Sequence, residues 1–225
     1  AVRRPHGAGP TLRLTLDIGA DAPLALGACP PFCLSPDGRL FAYVATVDET
    51  TALFLRRLER TDAVRAADTE GAYSPFFSPD SRWVGFFAGG RLKKVLVSGG
   101  SPMAICDAGD ECRGASWGCG NDIVFAPTPA SGLTLVGAED SAPRQVTALE
   151  FDHGERTHRW PQLLPNGTDL LFTVARAGSA SFDDADVMLT SIETGERRRV
   201  LRHATCARYV PTGHIVYMRA GTMMA

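Results

Sequence analysis

The chain has 225 residues, 23 basic against 25 acidic side chains, a net charge of −2, and 44% hydrophobic with 21% charged residues. That balance excludes a disordered chain and a polybasic binder of nucleic acid or anionic membrane, and no apolar run approaches the roughly 18 residues that cross a bilayer. The 23 glycines and 15 prolines interrupt the chain too often for long helices.

In chain order, residues 1–10 read as a linker, and Ala1-Val2-Arg3-Arg4-Pro5 carries no apolar core of a secretion signal. Leu12, Leu14, Leu16 and Ile18 then alternate with Arg13, Thr15 and Asp17, the pattern of a half-buried strand over residues 12–18. A repeat begins at Phe32-Cys33-Leu34-Ser35-Pro36-Asp37-Gly38-Arg39-Leu40-Phe41-Ala42-Tyr43 and returns at Pro75-Phe76-Phe77-Ser78-Pro79-Asp80-Ser81-Arg82-Trp83-Val84-Gly85-Phe86. Weaker copies centre on Cys119, Pro165 and Pro211, so turn positions 36, 79, 119, 165 and 211 are separated by 43, 40, 46 and 46 residues. This is the period of a four-stranded propeller blade.

Each copy is a hairpin by its own chemistry. Proline presets φ, aspartate bonds the local backbone, and glycine accepts a positive φ, between two runs rich in aromatic and β-branched residues. Third strands are expected at 52–58, 91–97, 132–137 and 186–192, and outer strands at, for example, 102–105 and 197–201. The fold class is therefore all-β: a β-propeller of four-stranded blades near 31–67, 74–106, 114–147 and 160–201, with a partial blade at 206–225. The expectation is an open arc of about four and a half blades. Its last half-blade is loosely ordered and exposes Val216, Met218 and Met223, and strand 12–18 lacks the terminal blade that such a strand commonly latches.

The Ser-Pro-Asp-Gly repeat with its aromatic second strand resembles TolB-like, WD-repeat-like β-propellers. Glu70–Asp80, Arg113–Gly118, Ile123–Pro127 and His158–Pro165 resemble more closely the propeller at the C-terminal end of bacterial serine/threonine protein kinases. The resemblance covers residues 11–225, with Cys119-Gly120-Asn121 and Thr212-Gly213 as degenerate turns. It implies a propeller joined to a kinase or similar signalling domain, and it says little about a ligand.

Local motifs are weaker than the repeat. Gly114-Ala115-Ser116-Trp117-Gly118 matches a nucleophile elbow, but that elbow needs a following helix and the next element here reads as a strand. Asp183, Asp184 and Asp186 lack the spacing of a calcium loop. Asn166-Gly167-Thr168 fits a glycosylation sequon and, better, a tight turn. Cys29, Cys33, Cys106, Cys112, Cys119 and Cys206 read as scattered thiols, with a Cys106–Cys112 disulfide or a metal site as alternatives. No phosphate-binding loop, kinase catalytic loop or cofactor motif occurs, so no cofactor is expected.

Aligned first strands place Tyr73, Arg113 and Arg159 at equivalent positions, four residues before Phe77, Trp117 and Leu163, with Arg156 and His158 beside the third. Innermost strands line a propeller's channel, so Tyr73, Arg113, His158 and Arg159 form a candidate partner-binding surface at its mouth. The alternative is that they cap blade edges or stack on neighbouring aromatics. The expected function is a non-catalytic binding or sensing module for a protein or peptide, in a kinase-linked polypeptide. Two other settings are a free-standing TolB-like periplasmic protein and the gating propeller of a prolyl-oligopeptidase-like peptidase. Compartment is left open between cytoplasm and an extracytoplasmic position behind a membrane helix.

Overall fold

The computed structural model describes residue 15 and residues 23–139, 142–179 and 181–225. The expected strand 12–18 lies outside the described residues apart from Thr15. Five antiparallel meanders follow one another. The first comprises β1 (Phe32–Leu34), β2 (Leu40–Val47), β3 (Thr50–Arg57) and β4 (Ala63–Arg65). The second comprises β5 (Tyr73–Phe77), β6 (Trp83–Ala88), β7 (Arg91–Leu96) and β8 (Met103–Asp107). The third comprises β9 (Ala115–Trp117), β10 (Asp122–Phe125), β11 (Thr134–Gly137) and β12 (Arg144–Gln145). The fourth comprises β13 (Glu155–Leu163), β14 (Asp169–Arg176), β15 (Asp186–Ser191) and β16 (Arg197–Arg202). The fifth has three strands, β17 (Thr205–Tyr209), β18 (Ile215–Arg219) and β19 (Thr222–Met224). Among the described residues helix is confined to two single 3-10 turns, at Phe151–His153 and Phe182–Asp184. No helix among the described residues is long and apolar enough to cross a membrane.

The near-continuous apolarity of each second strand follows from its position between two layers. Along β6, Phe86 faces the first sheet with Val84, while the adjacent Phe87 faces the third sheet. In β10, Val124 points toward the fourth sheet, and Ile123 and Phe125 point back to the second. In β14, Leu170 and Phe172 meet the third sheet, and Leu171 packs with Ala204 and Ala207 of the fifth. All of these side chains are buried, each contributing roughly 1.5–3 kcal/mol of burial free energy. The fifth sheet departs from expectation. It is a regular three-stranded meander with Val216 and Met218 half-buried, and only Met223 of the three named residues is well exposed.

The repeat's turn chemistry is built as its residues dictate. Ser35 Oγ accepts from the Leu40 amide at 2.8 Å and Asp37 Oδ1 from the Arg39 amide at 3.1 Å, with Gly38 at φ +70°. In the second copy Ser78 and Asp80 repeat these bonds to Trp83 and Arg82. Ser81 occupies the glycine position at φ +60°, a conformation that disfavours a side chain. Its hydroxyl offsets that strain by accepting from the Asp37 amide at 3.2 Å, which ties the two turns together across the blade boundary. Ser81→Ala therefore keeps the strain and loses the bond, and thermal denaturation should show about 1 kcal/mol lost. Ser81→Gly loses the bond and the strain together and should lie within about 0.5 kcal/mol of the parent. Equal losses in both variants would contradict this account.

Two other motifs resolve the same way. Asn166 Oδ1 accepts from the amides of Thr168 and Asp169, making the tight turn between β13 and β14. Ser116 Oγ accepts from the Leu163 amide at 3.2 Å, a link between the third and fourth inner strands. The strand β10 follows it where a nucleophile elbow needs a helix.

Candidate functional site

The channel side is shaped by a device repeated in four inner strands. Ser74, Gly114, Trp160 and Cys206 all have left-handed φ, at +51°, +99°, +50° and +51°. Strand pairing slips at the same place, between Tyr73 and Phe76, Arg159 and Gln162, and Thr205 and Arg208. A bulge of this kind interrupts the alternation of the strand just after Tyr73, Arg159 and Thr205. For non-glycine residues the conformation stores strain of order 1 kcal/mol each. Bonds between blades hold it: the Trp160 amide donates to the Arg113 carbonyl at 3.0 Å, and the Cys206 amide to Thr173 Oγ1 at 3.2 Å. Gly114 is required by contact as well as by φ, because a Cβ there would lie 3.1 Å from the Trp160 Cα.

Tyr73 and Arg113 are brought together on one cavity of about 290 Å³, which also has Cys29, Asp110 and Glu111 on its walls. Cys29 arrives from an excursion of the chain. Residues 23–25 pair with the far end of β2, and the chain then leaves the sheet before returning at Pro31. Cys29 Sγ lies 3.4 Å from the Cys112 carbonyl oxygen of the third blade. The Tyr73 hydroxyl accepts from the Cys112 amide at 3.3 Å, and its ring stacks on Phe87. Burial raises the hydroxyl's pKa above the usual tyrosine value. Burial likewise raises the Cys29 thiol against the opposing pull of Ser74, Arg113 and Arg159. Neither group is an activated nucleophile.

The two arginines differ in their bonding. Arg113 donates through Nη1 to the Glu111 carbonyl at 2.6 Å and through Nη2 to the Glu111 carboxylate at 3.2 Å. Its buried Nε has no hydrogen-bond partner among the described residues. Arg159 donates through Nε to Thr157 Oγ1 and through Nη2 to the Pro129 carbonyl, and its guanidinium lies over the Phe182 ring at 4.7 Å. Burial lowers the Arg159 pKa, and repulsion from Arg113 and Arg156 lowers it further. Edge bonding and aromatic stacking, the alternative reading of these positions, thus describes part of what each side chain does.

His158 sits elsewhere. Its side chain is fully buried between the third and fourth blades, bonded to Thr147 Oγ1 at 2.8 Å and to Glu155 Oε2 at 3.0 Å, with Phe172 against the ring. Placing it at the channel mouth with Arg159 overlooked strand alternation: adjacent residues of β13 point to opposite sides. The residues that bond it, Thr147 and Glu155, and the Arg197 that bonds Glu155, were not singled out from the sequence. They come from three segments with no spacing pattern to connect them. Asp186 is likewise no calcium ligand, since its buried carboxylate accepts from Arg176 at 2.7 Å and Arg199 at 3.2 Å. All six cysteines are free, Cys106 and Cys112 lying in one apolar cluster. Among the described residues no group of three His, Cys, Asp or Glu side chains is placed to hold a metal.

No family profile and no curated protein matches the chain by sequence. Solved structures match its fold. TolB from Acinetobacter baumannii superposes with a TM-score of 0.66 at 16% identity, over 84% of this chain and 48% of that one, so the chain spans about half the length of that protein. A TolB-type structure from Agrobacterium tumefaciens gives the same TM-score and identity over 84% of this chain and 74% of that one. Porphyromonas gingivalis dipeptidyl peptidase 4 gives 0.54 at 11% identity, over 84% and 36%. With its five consecutive meanders, the chain has the fold of a TolB-like β-propeller.

Proposed function

We propose that this propeller is a non-catalytic binding module whose channel mouth recognises an anionic group, a carboxylate or phosphate on a peptide or small molecule. One observation carries the reading. Arg113 and Arg159 flank one contact between the third and fourth blades, the Trp160 amide donating to the Arg113 carbonyl at 3.0 Å, and Arg113 keeps an Nε donor without a partner among the described residues. An anion held by both guanidinium groups would offset their like charge and accept from that donor, with Tyr73 beside Arg113 on the cavity. Asp110 and Glu111 on the same cavity narrow the choice, since they disfavour a densely charged polyanion and suit a ligand bearing one acidic group beside a donor.

Calorimetric titration with inorganic phosphate and with an N-acetylated Gly-Gly-Glu peptide tests the site. Arg113→Ala/Arg159→Ala should weaken the better probe by about tenfold or more, the loss expected on removing charge-assisted hydrogen bonds. Binding that is undetectable in the parent, or unchanged in the double variant, would end this reading. The four kinase-propeller-like segments support a place beside a serine/threonine kinase domain in one polypeptide. The likeness to dipeptidyl peptidase 4 supports a second setting, a propeller attached to a hydrolase domain. Reading the coding sequence on either side of this segment separates the two.

A further inference from the structure

A second cavity, larger than the one shared by Tyr73 and Arg113, lies elsewhere. It is a groove of about 490 Å³ between the outer parts of the first and second blades, and the sheet register shows why it is open. Ala42 pairs with Leu55, and Leu55 with Val64, so the three form one row across the face of the first sheet. Exposure rises outward along that row, from Ala42 at 0% through half-buried Leu55 to Val64 at 65%. Twisted blades diverge with distance from the axis, and the facing element of the second blade is the turn Ser98-Gly99-Gly100, which has almost no side chain to fill the wedge. Leu40 and Val97 complete the apolar floor.

The rim is basic. Arg57, Arg60 and Arg65 line the groove against one acid, Asp62. Arg60 binds Asp62 through two hydrogen bonds and Arg65 binds Glu70, but Arg57 makes no side-chain hydrogen bond or ion pair among the described residues. Arg57 pairs with Leu40, which places it on the floor's own face of the sheet. Among the described residues β4 is the outermost strand of its sheet, and it bounds the groove with an edge of backbone donors and acceptors.

From this apolar floor, the unpaired Arg57 on a basic rim and the strand edge, we propose that the groove between the first two blades docks an extended acidic segment of a partner protein. Its aliphatic side chains, at alternate positions, would enter the wedge over Leu55 and Val64, and its carboxylates would meet Arg57 and Arg60. Strand addition of this kind takes register from the edge and specificity from the alternating pockets.

Fluorescence anisotropy with a labelled Glu-Val-Glu-Val-Glu-Val probe, and with its Lys-Val counterpart, tests the assignment on the full chain. The acidic probe should bind and the basic probe should not. Arg57→Glu and, separately, Val64→Asp, each made in the Arg113→Ala/Arg159→Ala background that removes the channel-mouth arginines, should weaken the acidic probe by about tenfold or more. Both groove positions are exposed, so an unchanged thermal midpoint identifies the loss as one of binding. The proposal fails if neither probe binds, if both bind alike, if the groove variants have no effect, or if only the channel variant does. Concentration-dependent self-association abolished by Val64→Asp, without probe binding, would assign the groove to a second copy and also overturn it.

Discussion

Gly132→Ala should destabilise this propeller by about 3–5 kcal/mol, combining an unavoidable backbone clash with the loss of buried hydrogen bonds. A Cβ at position 132 would stand 1.9 Å from the Thr147 carbonyl oxygen and 2.7 Å from its carbonyl carbon, both of them backbone atoms that cannot rotate away. Thr147 must therefore move. Its Oγ1 accepts from the Leu133 amide at 2.8 Å and meets His158 Nδ1 at 2.8 Å, so both bonds would be strained with it. At a few degrees per kcal/mol for a chain of this size, the thermal midpoint should fall by about 10 °C or more. A midpoint within about 2 °C of the parent would show that Thr147, which joins the third blade to the fourth through His158, gives way more freely than this packing allows.

Acid should open the same boundary. Thr147 Oγ1 already accepts from Leu133, so its proton points to His158 Nδ1, and His158 Nε2–H donates to Glu155. This network assigns a neutral imidazole beside an ionised carboxylate. Burial pushes Glu155 up, but hydrogen bonds from His158, the Glu150 amide and Arg197 more than reverse that, holding it at about 2 against an ordinary 4.5. Burial also lowers His158 below its ordinary 6.5. The two signs agree. For Glu155 the unfolded chain binds the proton more readily between 4.5 and about 2, so its contribution is complete above that window and lost as pH falls through it. For His158 the unfolded chain takes up its proton from about 6.5 downward, and stability falls on the same side. With its side chain only 3% exposed, Glu155 should contribute about 3 kcal/mol at neutral pH. Denaturation series at pH 7 and pH 3 should show Glu155→Gln less stable than the parent by about that amount at pH 7, with the gap shrinking at pH 3. A gap that is the same at both values would remove the ionised carboxylate from this account.

Arg197 completes the lock and shows how little of it a linear reading can reach. One guanidinium nitrogen binds Glu155 at 2.7 Å, another binds Glu150 at 2.8 Å, and the group lies over Phe172. The residues involved come from the loop after β12, from β13, from β14 and from β16. Nothing in their spacing joins them until the sheets stack.

Repeat period, turn chemistry and the doubly buried second strands were legible in the sequence because they are local. Ser35-Pro36-Asp37-Gly38 closes its own hairpin wherever it stands, and Phe86-Phe87 needs apolar cover on both faces whatever supplies it. The third strands accordingly fall within a residue or two of their expected limits, and the equivalence of Tyr73, Arg113 and Arg159 follows from the repeat. The directions of those side chains do not. They depend on bulges at Ser74, Trp160 and Cys206, where no glycine announces a left-handed φ because contacts with the neighbouring blade impose it. Strand alternation then separates Arg159 from His158, which enters the blade boundary. The unfilled wedge beside Val64 has the same origin: its width is set by the divergence of two sheets, a distance between segments that neither encodes alone.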